Sequence, residues 1–276
     1  MLRDITIGQY YPEESFIHKL DPRVKLLGAF LFVVSVFIYD NLLGFAIMTF
    51  FLGLCIVTCK VPLKFMVKGL RAILFILILT GVINLFLTPG TSVFSWRFIN
   101  ITKQGIYNTV YMIIRLTYLV LGSSIMTLTT TPTRLTDGME TGLRFLKFFK
   151  FPVHEVAMMM SIALRFIPIL IEEADKIMKA QMARGADFET GGLIKKAKNM
   201  VPLLVPLFVS AWRRAGDLAM AMEARCYNGG EGRTRMKPLK YQKCDYIAYL
   251  ILFIYLGAMI ATRIIFKADT LFGMYS

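Results

Sequence analysis

Long apolar runs separated by short polar breaks fill the first half of the chain. Val24–Tyr39 is apolar apart from Lys25, and Leu42–Cys59 is 18 residues without a charge. Ala72–Leu87 has Asn84 as its most polar residue, Ile106–Thr130 is interrupted by Arg115, and Tyr246–Ile265 carries Arg263 near its end. About 20 residues of helix cross a bilayer core, with a range of roughly 17–25, so the pattern predicts five membrane spans, of which the first is the shortest. Asp21-Pro22 opens the first span with a capping side chain and a ring that suits the first helical turn. Thr131-Pro132 repeats the arrangement where the fourth span ends.

Between residues 132 and 244 the pattern changes to amphipathic stripes. Val156, Met160, Ala163, Ile167, Leu170, Ala174, Ile177 and Gln181 recur every three or four residues within 153–184. Val201, Val205, Phe208, Trp212, Ala215, Ala219 and Met222 do the same within 193–225. A shorter basic helix is predicted over 134–150. Pro168, Pro202 and Pro206 are expected to kink the two long helices. Segments 153–171 and 200–212 are nearly apolar enough to span, but Arg165 interrupts the first, and both are expected to lie against the membrane body. The predicted fold is all-α: a polytopic helical membrane protein of about five transmembrane helices with a three-helix cytosolic region. Its parts are an N-terminal segment at 1–21, spans one to four at 22–131, the cytosolic helices at 132–244, and the last span with the C-terminus at 245–276.

Composition and charge agree with a bilayer. Hydrophobic residues make up 56% of the chain and charged residues 18%, against a usual charged share of about 25%, and the mean hydropathy is +0.59. The net charge of +14 gathers in particular loops. Arg3, Lys19, Arg23 and Lys25 precede the first span, and Lys60, Lys64, Lys68 and Arg71 follow the second, whereas 88–105 holds only Arg97 and Lys103. That alternation predicts a multi-pass protein of the cell membrane with the N-terminus and the 132–244 region in the cytosol. It explains the basic balance without nucleic acid, for which no motif is present. Residues 1–20 carry Asp4, Glu13, Glu14 and His18 and no apolar core, unlike a secretory signal. Cys55 and Cys59 share a helix face, but neither His18 nor His154 is near in sequence, so both thiols read as small buried hydrophobes rather than metal ligands. Cys226 and Cys244 fall in the region placed in the cytosol, where disulfides are rare.

Catalytic constellations are missing. No G-x-x-x-x-G-K-[ST], H-E-x-x-H or G-x-S-x-G occurs, so no catalytic residue, metal site or bound cofactor is expected. The dense acidic cluster Glu172-Glu173-Ala174-Asp175 reads as a solvated helix face, and Arg165 as a structural tie to a carboxylate or carbonyls. A repeated device is the better candidate. Ala180-Gln181-Met182-Ala183-Arg184-Gly185 and Ala221-Met222-Glu223-Ala224-Arg225-Cys226 lie 41 residues apart and match at Ala180/Ala221, Ala183/Ala224 and Arg184/Arg225. One arginine at a helix C-terminus does no more than complement the macrodipole. Two, each between small residues and each ending a similar helix, point to cationic tips that insert into grooves on other proteins. Met158, Met159, Met160, Met178, Met182, Met200, Met220 and Met222 are either core filler or an adaptable surface for several partners.

Together these motifs resemble the transmembrane T-component of energy-coupling factor (ECF) transporters, of the CbiQ-like kind, over nearly the whole chain. The resemblance rests on Gly8-Gln9-Tyr10, Ser15 through Leu27 with its Asp21-Pro22-Arg23, Thr131-Pro132, Leu164-Arg165-Phe166-Ile167-Pro168, Arg213-Arg214-Ala215 and the two Ala-Arg ends. Where the family's second signature reads Ala-Arg-Gly, this chain has Cys226, whose small size is expected to preserve the contact. The resemblance implies a non-catalytic subunit that passes ATPase motion to a vitamin- or micronutrient-binding S-component embedded beside it in the membrane. Two ABC-type ATPase subunits, which use the ATP and Mg, would each take one coupling motif: Ala183, Arg184 and Gly185, or Ala224, Arg225 and Cys226. The S-component would rest on a cradle around Met160, Ala163, Ile167, Leu204 and Phe208. Alternatives are the T-component of a dedicated cobalt or nickel system, a membrane-embedded enzyme, disfavoured by the missing polar cluster, and a self-contained channel or carrier, disfavoured because nearly half the chain is not membrane-spanning.

Overall fold

A computed structural model describes residues 10–39, 42–96, 99–186, 188, 192–229 and 238–265. The described chain is almost wholly helical: α1 (Phe16–Lys19), α2 (Pro22–Ile38), α3 (Leu42–Cys59), α4 (Leu63–Leu87), α5 (Lys103–Thr129), α6 (Pro132–Gly142), a 3-10 helix (Leu143–Phe149), α7 (Val153–Ala183), α8 (Leu193–Glu223) and α9 (Lys243–Ile265). Between α4 and α5 the segment read as a plain loop forms a small antiparallel hairpin, β1 (Ser92–Trp96) with β2 (Ile99–Thr102). Thr102 then caps α5, its hydroxyl accepting from the Gly105 N–H at 3.0 Å. The chain divides into two compact units, Gly8–Gly138 with Leu239–Ser276, and Met139–Pro238.

In the first unit Asp21 caps α2, accepting from the Arg23 N–H at 2.9 Å, with Pro22 in the first turn. The core joins Phe32 and Val36 of α2, Met48, Leu52 and Cys59 of α3, Met66 of α4, Ile125 and Leu128 of α5, and Tyr255 and Met259 of α9. Cys59 is fully buried and Cys55 packs beside it, and all four cysteines are free thiols. Gly122 leaves room on α5 for the Phe32 ring of α2, since a Cβ there would sit 2.6 Å from that ring. Arg115, the charge within α5, lies over the Tyr111 ring and donates to its hydroxyl. The Tyr111 hydroxyl in turn donates to the Tyr39 carbonyl at 3.0 Å.

Among the described residues, length and apolarity pick out three helices able to cross a membrane, Lys103–Thr129, Val153–Ala183 and Lys243–Thr262, and a fourth if the bent α4 counts as one span. Five were expected. Helix α2 has 17 residues and α3 has 18, which at ~1.5 Å per residue fall just short of a ~30 Å core. Helix α4 begins at Leu63, nine residues before the expected span, because Lys64 and Arg71 ride on its first turns instead of in a loop. Helix α7, expected to lie against the membrane body, is itself long enough to cross it, running through Pro168 as one 31-residue helix.

Candidate functional site: two matched helix ends

The two Ala-Arg segments fold alike, bond for bond. At the end of α7 the Arg184 N–H donates to the Gln181 carbonyl at 3.0 Å, Gly185 to Met182 at 2.9 Å, and Ala186 to Gln181 at 2.9 Å. Forty-one residues on, Arg225 donates to Met222 at 3.1 Å, Cys226 to Glu223 at 2.8 Å, and Tyr227 to Met222 at 3.1 Å. The last two bonds of each set are the crossed pair of a Schellman cap, which satisfies carbonyls that the helix leaves open. Such a cap requires a left-handed residue just past the helix, and Gly185 supplies it with φ +88°. Cys226 occupies the same place with φ +54°. Smallness was the property read from the sequence, whereas backbone handedness is what the cap demands, and a Cβ makes that conformation costly.

Each arginine therefore sits where its helix stops, and Ala183, Arg184, Gly185, Ala224, Arg225 and Cys226 are all exposed. The carbonyl ends of the two macrodipoles add to the preference for a cation at these tips. Each arginine is flanked by alanine on one side and by glycine or cysteine on the other.

The cradle residues form an open apolar surface on α7 and α8. Met160, Ala163, Ile167, Leu204 and Phe208 are exposed, as are Val201, Val205 and Trp212, and the Phe208 and Trp212 rings tilt together with centroids 6.3 Å apart. An exposed apolar stretch of this kind marks an interaction or membrane-facing surface.

Two expectations about charged groups are corrected. Arg165 is exposed, and no ion pair among the described residues involves it. Glu173, read as part of a solvated face, is instead paired across to α8, accepting from Arg214 at 3.2 Å. Helix spacing shows which face a residue occupies, but not which neighbour that face meets.

Other residues were missed. Asp245, almost fully buried, accepts from the backbone N–H groups of Asp21 and Gln242, both at 2.7 Å, and so joins the start of α2 to the start of α9. Its place just before the apolar run from Tyr246 was the available signal. Arg23, beside Asp21 at 3.7 Å, lies over the Tyr241 ring. His154 pairs with Glu140 at 2.9 Å. His18 bridges Ser15, at 2.6 Å through Nδ1, and the Tyr11 carbonyl, at 3.0 Å through Nε2. A carbonyl only accepts, so Nε2 carries the hydrogen and neutral Nδ1 accepts from the serine hydroxyl. Burial, opposed by the bond to the Tyr11 carbonyl and reinforced by Lys25, holds the His18 pKa below its ordinary value.

The fold and its two arginine-ended helices define a polytopic helical membrane protein with a duplicated, exposed cationic device. A family profile described as "Cobalt transport protein" matches residues 13–236. A protein of Clostridium kluyveri named energy-coupling factor transporter transmembrane protein EcfT is 50% identical over 266 residues, covering 96% of this chain and 98% of the relative. Proteins of the same name from Ruminiclostridium cellulolyticum and Bacillus subtilis are 48% and 47% identical, covering 96% and 89% of this chain and 100% and 93% of theirs. The chain belongs to this family, the transmembrane components of energy-coupling factor transporters.

Proposed function

We propose that the chain is the non-catalytic coupling scaffold of a micronutrient importer. Its N-terminus and the 132–244 region face the cytosol, Arg184 and Arg225 each enter a groove on one of two ABC-type ATPases, and the apolar surface around Met160, Ala163, Ile167, Leu204 and Phe208 receives a membrane-embedded, substrate-binding S-component. ATP and Mg act in the partners. Their closure shifts the two helix ends, and α7 and α8 transmit the shift to the S-component, which reorients and releases its cargo inward. The observation that carries this reading is the matched pair of caps, which presents the same cation twice in the same geometry and suits a pair of similar acidic grooves.

Truncating one side of a buried, hydrogen-bonded charge pair costs roughly 2–5 kcal/mol. Arg184→Ala with Arg225→Ala is therefore expected to abolish copurification of the ATPases and uptake while the protein still inserts in the membrane. Uptake at the wild-type level by the double variant would refute the reading. The family profile's description keeps a dedicated cobalt or nickel system as the second reading. Mass spectrometry of the copurifying S-component and its cargo separates the two.

A further inference from the structure

Arg214, within Arg213-Arg214-Ala215, and Glu173 lie away from the helix ends, yet they make a charged contact between α7 and α8 at 3.2 Å. The offset between these two residues is 41, the same as that between Arg184 and Arg225 and between the two sets of cap bonds. In two copies of a unit related by a two-fold, corresponding residues meet one another at the axis, and away from it a residue meets a non-corresponding one. From the contact each helix runs 11 residues to its arginine, or ~16 Å at ~1.5 Å per residue, so the two arms have equal reach. At such a contact two identical charges would repel, and the chain carries opposite ones.

We infer that the Glu173–Arg214 pair lies on a pseudo-two-fold axis relating the two coupling ends and is the pin that fixes their spread. The partner surface it suits is itself two-fold: a dimer with two equivalent acidic grooves, whose axis passes through this pin. Both side chains are partly exposed, 27% for Glu173 and 38% for Arg214, so the pin contributes little to stability as a surface pair. Its effect is on register. If either charge is lost, the helices still fold and the tips still carry their arginines, but their separation is no longer set. Glu173 and Arg214 are thus positioning residues, and their role rests on the docking reading above.

The test uses the assembled transporter, purified with its copurifying ATPases and S-component and reconstituted in liposomes, and reads assembly, uptake and ATP hydrolysed per substrate moved. Glu173→Gln and Arg214→Gln are expected to retain all subunits, to lower uptake at least about fivefold, the low end of ordinary coupling effects, and to raise the ATP spent per substrate. Glu173→Arg combined with Arg214→Glu restores the pair with its signs exchanged and is expected to recover both values, which a merely local packing role would not do. Wild-type uptake and coupling in the single variants overturns the pin, as does an intact complex of the exchanged variant that stays uncoupled. Loss of subunits from the single variants overturns it too, since the pair would then be an assembly contact. Arg184→Ala with Arg225→Ala in the same assay tests docking separately: if the pin variants fail their prediction while these lose the ATPases, the pin alone is wrong.

Discussion

At Cys226 a single Cβ decides how well a helix end is made. A left-handed conformation costs an L-residue about 1–2 kcal/mol, part of which glycine returns through the greater entropy of its unfolded chain. Cys226→Gly is therefore expected to tighten the α8 cap by about 1 kcal/mol, and Gly185→Ala to loosen the α7 cap by a similar amount. Amide hydrogen exchange over 222–228 and 181–186 reads this directly as roughly fivefold slower and faster exchange, and unchanged rates at both ends would remove the handedness argument. His18 makes a second prediction. Its folded pKa lies below the unfolded value near 6.5, so the unfolded chain binds the proton more readily. The contribution of this group is complete above about pH 6.5 and is lost as pH falls below it toward the folded pKa. Thermal stability should drop as pH falls below about 6.5, and less so in His18→Gln, which keeps a donor for the Tyr11 carbonyl but does not titrate. An identical slope in both proteins would exclude His18 as the source.

Among the elements, α7 and α8 have unusually little buried apolar surface. Ala157, Ala174 and Leu203 are their buried hydrophobic residues among those described, while Leu204, Val205, Phe208 and Trp212 lie open. Helices gain most of their stability from packing one face, so faces this apolar require a partner or lipid. Leu204→Asp would place an unpaired charge in such an interface, at a cost of several kcal/mol. It is expected to release the S-component before the ATPases, because Leu204 is 21 residues from Arg225 along the same helix, or ~32 Å. Pull-down of the variant with each partner quantified checks this. If the ATPases leave and the S-component stays, the surface supports the coupling helices rather than the S-component.

For the whole molecule, the proposed division of labour has a direct consequence. A scaffold that borrows its chemistry should neither bind nor hydrolyse ATP when purified free of every ATPase. Hydrolysis that persists after their removal, and that follows this chain through a further chromatographic step, would place a catalytic site here.

The sequence by itself determined the helical class, the apolar segments, the capped start of α2 at Asp21-Pro22 and the duplicated Ala-Arg ends. These are written in local spacing: a run of apolar residues, a period near 3.6, a breaker after an arginine. It also made Cys59 a buried hydrophobe, as the core shows. Only the tertiary structure decided which faces meet. Glu173 looks solvated until Arg214 is brought beside it, Asp245 looks like an ordinary cap until its other oxygen reaches the Asp21 N–H, and the hairpin at 92–102 has no strong turn signal. Glycine and cysteine at 185 and 226 looked alike in size, and the difference between them appeared only with the backbone angle. Local spacing fixes what a residue can do along its own helix, whereas pairing across 41 or 224 residues depends on where the packed helices bring the chain.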